Sequence, residues 1–172
     1  MIQEKERLCR NIEKREDIYS RISQKIWEYA ELGFKEHRSA KLLQETLERE
    51  GFQVETGLAG IPTAFKGTFG SGGPVIAILG EFDALPGLSQ KPGTDVQEKR
   101  EDTATDAGII CWEPALLQRL WLSGNIWTGA GHRALSFILA VPGRKKAPAR
   151  HSWHGRDVLK GLMLCSAGIP GM

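Results

Sequence analysis

No apolar run in this sequence approaches the ~20 residues of a membrane-spanning helix, so a membrane partner is not expected. The opening MIQEKERLCRNIEKRED is charged and has no apolar core, which argues against a signal peptide. Cysteine is scarce: Cys9, Cys111 and Cys165 are an odd, scattered set. They make neither a disulfide framework nor a zinc-knuckle spacing, and a reducing cytoplasm is the expected location. An excess of one charge is also missing. The formal net charge of +2 is too near neutral to predict a nucleic-acid partner. There is no internal repeat. What remains is a 172-residue chain, 41% hydrophobic and 26% charged, a composition that suits one globular domain.

The chain changes character near residue 102. Met1 to Glu101 carries 15 Lys+Arg and 17 Asp+Glu, a net of −2, whereas Asp102 onward carries 8 and 4, a net of +4. Four of the five tryptophans (Trp112, Trp121, Trp127 and Trp153) lie in the second part.

The first part has clear periods. Ile18, Ile22, Ile26 and Trp27 recur at helical spacing, and Gly33 is a plausible stop. Ser39 to Glu50 places Leu42, Leu43 and Leu47 on one face and ends at Gly51. Phe52 to Glu55 and Ala64 to Phe69 read as short strands, with a turn over Gly70 to Gly73. Val75 to Leu79 is a continuous apolar run, the pattern of a strand buried on both faces. Two helices followed by strands predict an α/β fold.

The second part has no sustained period. Leu116 to Leu122 could form a short helix and Leu135 to Val141 a strand, but GRKKAPARHSWHGR is a basic stretch without turn logic. The tail is predicted to be irregular or disordered. The expected division is 1–101 as the start of a catalytic domain and 102–172 as a tail without a native fold.

Chemistry is expected just beyond the buried strand, where GEFDALPG begins. In open α/β sheets functional groups gather past the strand C-termini. Glu81 and Asp83 stand there, and a carboxylate so placed can orient or bind a metal. The plainer alternative is that Asp83 caps the following turn. His132, His151 and His154 have no carboxylate or cysteine at matching spacing, and the His-x-x-His of 151 and 154 reads as a solvated accident.

IWEYAELGFKEHRSAKLLQETLEREGF, then GIPTAF, then PVIAILGEFDALPGLSQ, in this order from about Ile18 to Gln90, resembles the N-terminal segment of M20 amidohydrolases. The likeness points to the aminobenzoyl-glutamate hydrolase branch. It implies the opening of the zinc-peptidase-like catalytic domain, into which a smaller dimerisation domain is inserted. It also implies a hydrolase that uses two divalent metals, zinc or manganese, on amide bonds of N-acyl amino acids, aminobenzoyl-glutamate or dipeptides. The whole enzyme would be a homo- or hetero-oligomer. Asp83 would be the aspartate beside the metals, with Glu81 and Pro86 in the same strand-end motif.

The family next requires Gly-His-Gly-Cys-Gly-His-Asn, then a Glu-Glu pair, then His-Pro. Its Cys and His hold the metals, and the pair supplies a ligand and a general base. None of these follows Gln90 here. No metal ligand or cofactor-binding residue is therefore assigned, no cofactor is expected on this chain, and the chain as translated is predicted inactive.

The missing motifs are compatible with a second frame. When the third base of each codon is read with the first two of the next, TATDAGIICWEP (Thr103 to Pro114) permits Gly-His-Gly-Cys-Gly-His-Asn-Leu-Leu-Gly-Thr. Some of this is forced. Cys111 before Trp112 must give Leu, Trp112 before Glu113 must give Gly, and Glu113 before Pro114 must give Thr or Ala. Further along, VPGRKK permits Pro-Gly-Glu-Glu and PARHSWHGRD permits Gly-Lys-Ala-Phe-Met-Ala-Arg-Glu-Gly. SAGIPG permits Trp-His-Pro-Gly. The matches occur in family order and in one frame, which predicts a slip between about Pro92 and Thr103. The rival expectation is a non-catalytic α/β interaction module with a genuine C-terminal region.

Overall fold

The computed structural model describes residues 2–71, 75–91, 93–101, 107–108, 135–140 and 163–164. The helix expected over Leu116 to Leu122 lies outside these residues, as do His132, His151 and His154. Three helices lead the chain: α1 (Ile2–Glu13), α2 (Glu16–Tyr29) and α3 (His37–Arg49). Strands β1 (Gln53–Thr56), β2 (Phe65–Phe69), β3 (Val75–Gly80) and β4 (Leu85–Pro86) follow. Beyond residue 102 come β5 (Ala107–Gly108), β6 (Leu135–Ala140) and β7 (Met163–Leu164). The α/β class and the order of helices before strands are as expected. The strand expected over Leu135 to Val141 is β6.

The second and third helices form for the reason their spacing gave. Tyr19, Ile22 and Ile26 bury one stripe of α2, and Ala40, Leu43 and Leu47 one stripe of α3. Together with Phe52, Phe65 and Phe82 they make one core cluster. An ion pair from Arg15 to Glu50 ties the start of α2 to the end of α3. The predicted stop at Gly51 is a Schellman turn. Gly51 takes φ +86°, its N–H donates to the Glu48 carbonyl, and the Phe52 N–H donates to the Leu47 carbonyl.

Two boundaries differ from the sequence reading. The N-terminal helix α1 was not expected, because its run is charged and its apolar residues are few. The stop of α2 is not Gly33: the helix ends at Tyr29, and Ala30 adopts the left-handed conformation at φ 45°. Ala30 is 2% exposed and packs with Ala84, so a contact made in the fold ends this helix before the glycine.

The main sheet runs β1-β2-β6-β3-β7. β1 pairs antiparallel with β2, and β2 antiparallel with β6. β6 and β7 flank β3, both parallel to it. β2 and β3 are therefore consecutive in the described chain but not neighbours, since β6 lies between them. Helix α3 packs on β1 and β2, and it comes close to the backbone at Gly67 on β2. A Cβ there would stand 2.9 Å from Leu47 Cδ1. Among the described residues, no helix is long and apolar enough to cross a membrane.

Candidate functional site

Strand register puts the candidate residues at one end of the sheet. Gly80, the last residue of β3, pairs with Ala140 of β6, and Ala140 pairs with Phe65, the first residue of β2. The segment before β2 and the segment after β3 therefore meet at the same edge. Thr63 belongs to the first; Glu81 and Asp83 belong to the second. The turn between α2 and α3 joins them: the Ala84 N–H donates to the Glu31 carbonyl at 2.7 Å, and Leu32 bridges Ala84.

The extended chain after β3 alternates. Phe82 and Ala84 are buried, with Phe82 tilted against Phe65 at a centroid distance of 5.9 Å. Glu81 and Asp83 alternate with them and are half-buried. The two residues singled out by sequence thus share one strand end, on positions that leave them partly accessible. Beyond them, Ser89 is buried and its hydroxyl accepts from the Arg100 N–H. The Arg100 guanidinium stacks on Trp27 at 4.2 Å and donates to the Trp27 carbonyl. The loop up to residue 101 is thereby folded back on α2.

The α2–α3 turn contributes two more carboxylates, Glu31 and Glu36, which the sequence reading did not single out. Glu31 caps α3 from outside the helix. One carboxyl oxygen accepts from the Arg38 N–H at 3.0 Å, and the other accepts from the Ser39 N–H and hydroxyl, each at 2.8 Å. Arg38 also lies over the Tyr29 ring at 3.9 Å. Glu36, the residue at the N-cap, makes no cap with its side chain. It is 0% exposed, and neither of its carboxyl oxygens has a hydrogen-bond partner. Thr63, also buried, has an unpaired hydroxyl.

Burial pushes the Glu36 carboxyl above the usual carboxylate range, and the Asp83 charge pushes it the same way. The backbone of Glu36 and Phe34 and the Thr63 hydroxyl pull it back, but neither the hydroxyl nor the carboxyl completes a hydrogen bond of normal geometry. The turn holding Glu36 is also strained. Ala30 and Phe34 both have positive φ, 45° and 68°, in a region that L-residues seldom occupy. A charged run between two amphipathic helices reads as surface. The only local hint was an acid at a helix start.

A two-metal centre does not fit the described residues. Among them no group of three or more His, Cys, Asp or Glu side chains could hold a metal ion.

No family model matches the chain. It is 48% identical over 82 residues to a subunit of p-aminobenzoyl-glutamate hydrolase from Escherichia coli K12, covering 48% of this chain and 17% of that protein. It is 40% identical over 83 residues to thermostable carboxypeptidase 1 of Saccharolobus solfataricus, covering 47% of this chain and 21% of the relative. The matched stretch thus spans about a fifth or less of these relatives. In fold, a crystal structure from methicillin-resistant Staphylococcus aureus, described as an aminohydrolase, superposes with a TM-score of 0.67 at 22% identity. That match covers 91% of this chain and 40% of the other. A dinuclear metal-binding M20 peptidase from Bacillus subtilis gives 0.61 at 20% identity, over 86% and 41%. Over about half its length the chain is homologous to a p-aminobenzoyl-glutamate hydrolase subunit and to the thermostable carboxypeptidases, and its fold is that of M20 family peptidases.

Proposed function

We propose that this chain carries the opening segment of the catalytic domain of a metal-dependent amidohydrolase. The reaction is hydrolysis of the amide bond of an N-acyl amino acid, an aminobenzoyl-glutamate or a dipeptide. The observation that carries this reading is GEFDALPG at the C-terminal end of β3, where Glu81 and Asp83 meet the α2–α3 turn, within a sequence related to hydrolases over 82 residues. Asp83 is the residue assigned to the site, with Glu81 beside it. The described residues hold no group of three or more His, Cys, Asp or Glu side chains that could bind a metal, so no catalytic step is assigned to this chain as translated.

The rest of the site is proposed to be encoded one frame away, beyond a slip between about Pro92 and Thr103. The shifted frame supplies the Cys, His and Glu types that bind divalent metals, in the family's order. The E. coli relative is named as a subunit of a hydrolase, which supports an oligomeric parent acting on a small molecule. The scattered cysteines support a cytoplasmic location.

Two measurements test this. The nucleotide sequence across codons 103 to 172 must encode the four motifs in the shifted frame. The protein translated from a frame-restored gene should then hydrolyse p-aminobenzoyl-glutamate and lose that activity to a chelator, while the chain as translated should show none. Chelator-sensitive hydrolysis by the chain as translated sinks the proposal, as does a nucleotide sequence without the motifs.

One observation favours a second reading, a non-catalytic α/β module. Strands β6 and β7, from beyond residue 102, take places in the main sheet. A cooperative melt with dispersed amide signals from Asp102 to Met172 would support that reading.

A further inference from the structure

Both helix ends at the α2–α3 turn are capped from outside their own helix. Helix α2 has no basic residue in its last turn, where backbone carbonyls run out of helical partners and a cation is favoured. Arg100, 73 residues after Trp27, supplies that cation. Its guanidinium donates to the Trp27 carbonyl at 3.4 Å and lies 4.2 Å over the Trp27 ring. The same residue holds a second segment: its backbone N–H donates to the hydroxyl of the buried Ser89 at 3.2 Å. Glu31 works alike at α3. Its carboxylate caps that helix, while its carbonyl accepts from the Ala84 N–H at 2.7 Å. Ala84 and Ser89, at the two ends of the stretch that follows Asp83, are therefore each fastened to a residue that caps a helix.

Between Ser89 and Arg100 the loop is filled by its own side chains. The Lys91 N–H donates to the Glu98 carbonyl at 2.7 Å, and the Lys91 ammonium pairs with the Glu98 carboxylate. The Gln90 carboxamide links the rest. Its Nε2 donates to the Thr94 hydroxyl at 2.6 Å and to the Val96 carbonyl at 2.9 Å, and its Oε1 accepts from the Glu98 N–H at 3.1 Å. Close ends and an interior made of the loop's own groups define an Ω-loop rather than a slack linker. Residues 93–99 are exposed, so apolar burial contributes little to keeping this loop closed.

We propose that residues 89–91 and 93–100 form a strap, latched by Arg100 on Trp27, that fixes the stretch after Asp83 to the end of α2. Arg100 is a positioning residue. Closed, the strap caps α2 and keeps Ala84 against the α2–α3 turn; open, it uncovers the Trp27 ring and loosens Ala84. The proposal uses only residues of the first region and is independent of the change of frame.

Backbone hydrogen exchange of the full chain tests it. Arg100→Ala should speed exchange of the amides at positions 84 and 100 by about tenfold, because a charged donor and a cation–π contact are lost together. The Arg38 and Ser39 amides, on the α3 cap, should keep their rates. Arg100→Lys keeps the charge without the planar fork and should recover only part of the protection. Gln90→Ala empties the strap and should speed position 98 most and position 100 next. Trp27→Leu should reproduce Arg100→Ala, and the two together should exceed neither alone.

An Ala84 amide indifferent to Arg100→Ala overturns the strap. Equal acceleration at Arg38 and Ser39 also overturns it, since that is loss of stability throughout. Additive effects of Arg100→Ala and Trp27→Leu overturn the latch. Should Arg100→Ala fail to fold, Arg100→Lys and Gln90→Ala carry the same comparison of positions 84, 98 and 100 with 38 and 39. The hydrolase reading is untouched by any of these outcomes, because the nucleotide sequence and the frame-restored enzyme decide it.

Discussion

The chain's two regions obey different rules. Up to Glu101, local pattern and tertiary placement agree: the stripes of α2 and α3 face one core, and the turn at Gly51 uses the residue its geometry needs. From Asp102 onward, charge, tryptophan content and periodicity all change together. Yet β6, from this second region, lies in the middle of the sheet, between two strands of the first. Backbone pairing is nearly indifferent to side-chain identity, so a short apolar stretch can fill a strand position without the capped, periodic surroundings that mark the first region. Agreement across levels is what a selected sequence displays, and its loss at one point along the chain is what the proposed change of frame would produce.

Substitutions separate the contributions of the two regions. The largest effect is expected at β6. Ile138 pairs with Gly67 on one side and Ile78 on the other, so Ile138→Pro removes a ladder donor from a central strand. It should destabilise the chain by about 3 kcal/mol or more in urea unfolding. An unchanged midpoint would mean that the first region folds without the second. Next comes the core of the first region: Ile26 is 0% exposed, and Ile26→Ala should reduce stability by about 2–5 kcal/mol, read as a lower denaturant midpoint. Glu31→Ala removes three bonds that cap α3 and should cost about 1–2 kcal/mol, with early exchange of the Arg38 and Ser39 amides as its local signature.

The smallest effect is a pH dependence. The Glu36 carboxyl binds its proton more tightly folded than unfolded, because burial raises its folded pKa above the ordinary value near 4.5. Below that value the carboxyl is protonated in both states and makes no difference. As pH rises from there through the folded pKa, ionisation of the enclosed group takes stability away. The melting temperature of the parent minus that of Glu36→Gln should therefore fall as pH rises from 4.5 towards neutrality; a flat difference would place the carboxyl in water.

Legibility followed the range of the interactions. Glu81 and Asp83 could be found because the end of an apolar strand is a local feature, and the fold does place them at one end of the sheet. Glu36 and Thr63 could not, because they lie 27 residues apart and come together only when the α2–α3 turn and the start of β2 converge. The end of α2 was misplaced for the same reason: Gly33 was the local breaker, but contact with Ala84 made Ala30 the stop.

By itself, then, the sequence determined the amphipathic stripes of α2 and α3, the stop at Gly51, the apolar strand with its acidic end, and the point where the chain changes character. These depend on neighbours within a few residues, through helix and strand periods and the freedom of glycine at positive φ. Only the tertiary structure decided that β6 separates β2 from β3, that Glu31 caps a helix it precedes, and that Glu36 is shut away from water without a partner. Burial and hydrogen-bond satisfaction depend on what distant segments bring, and no local window contains that information.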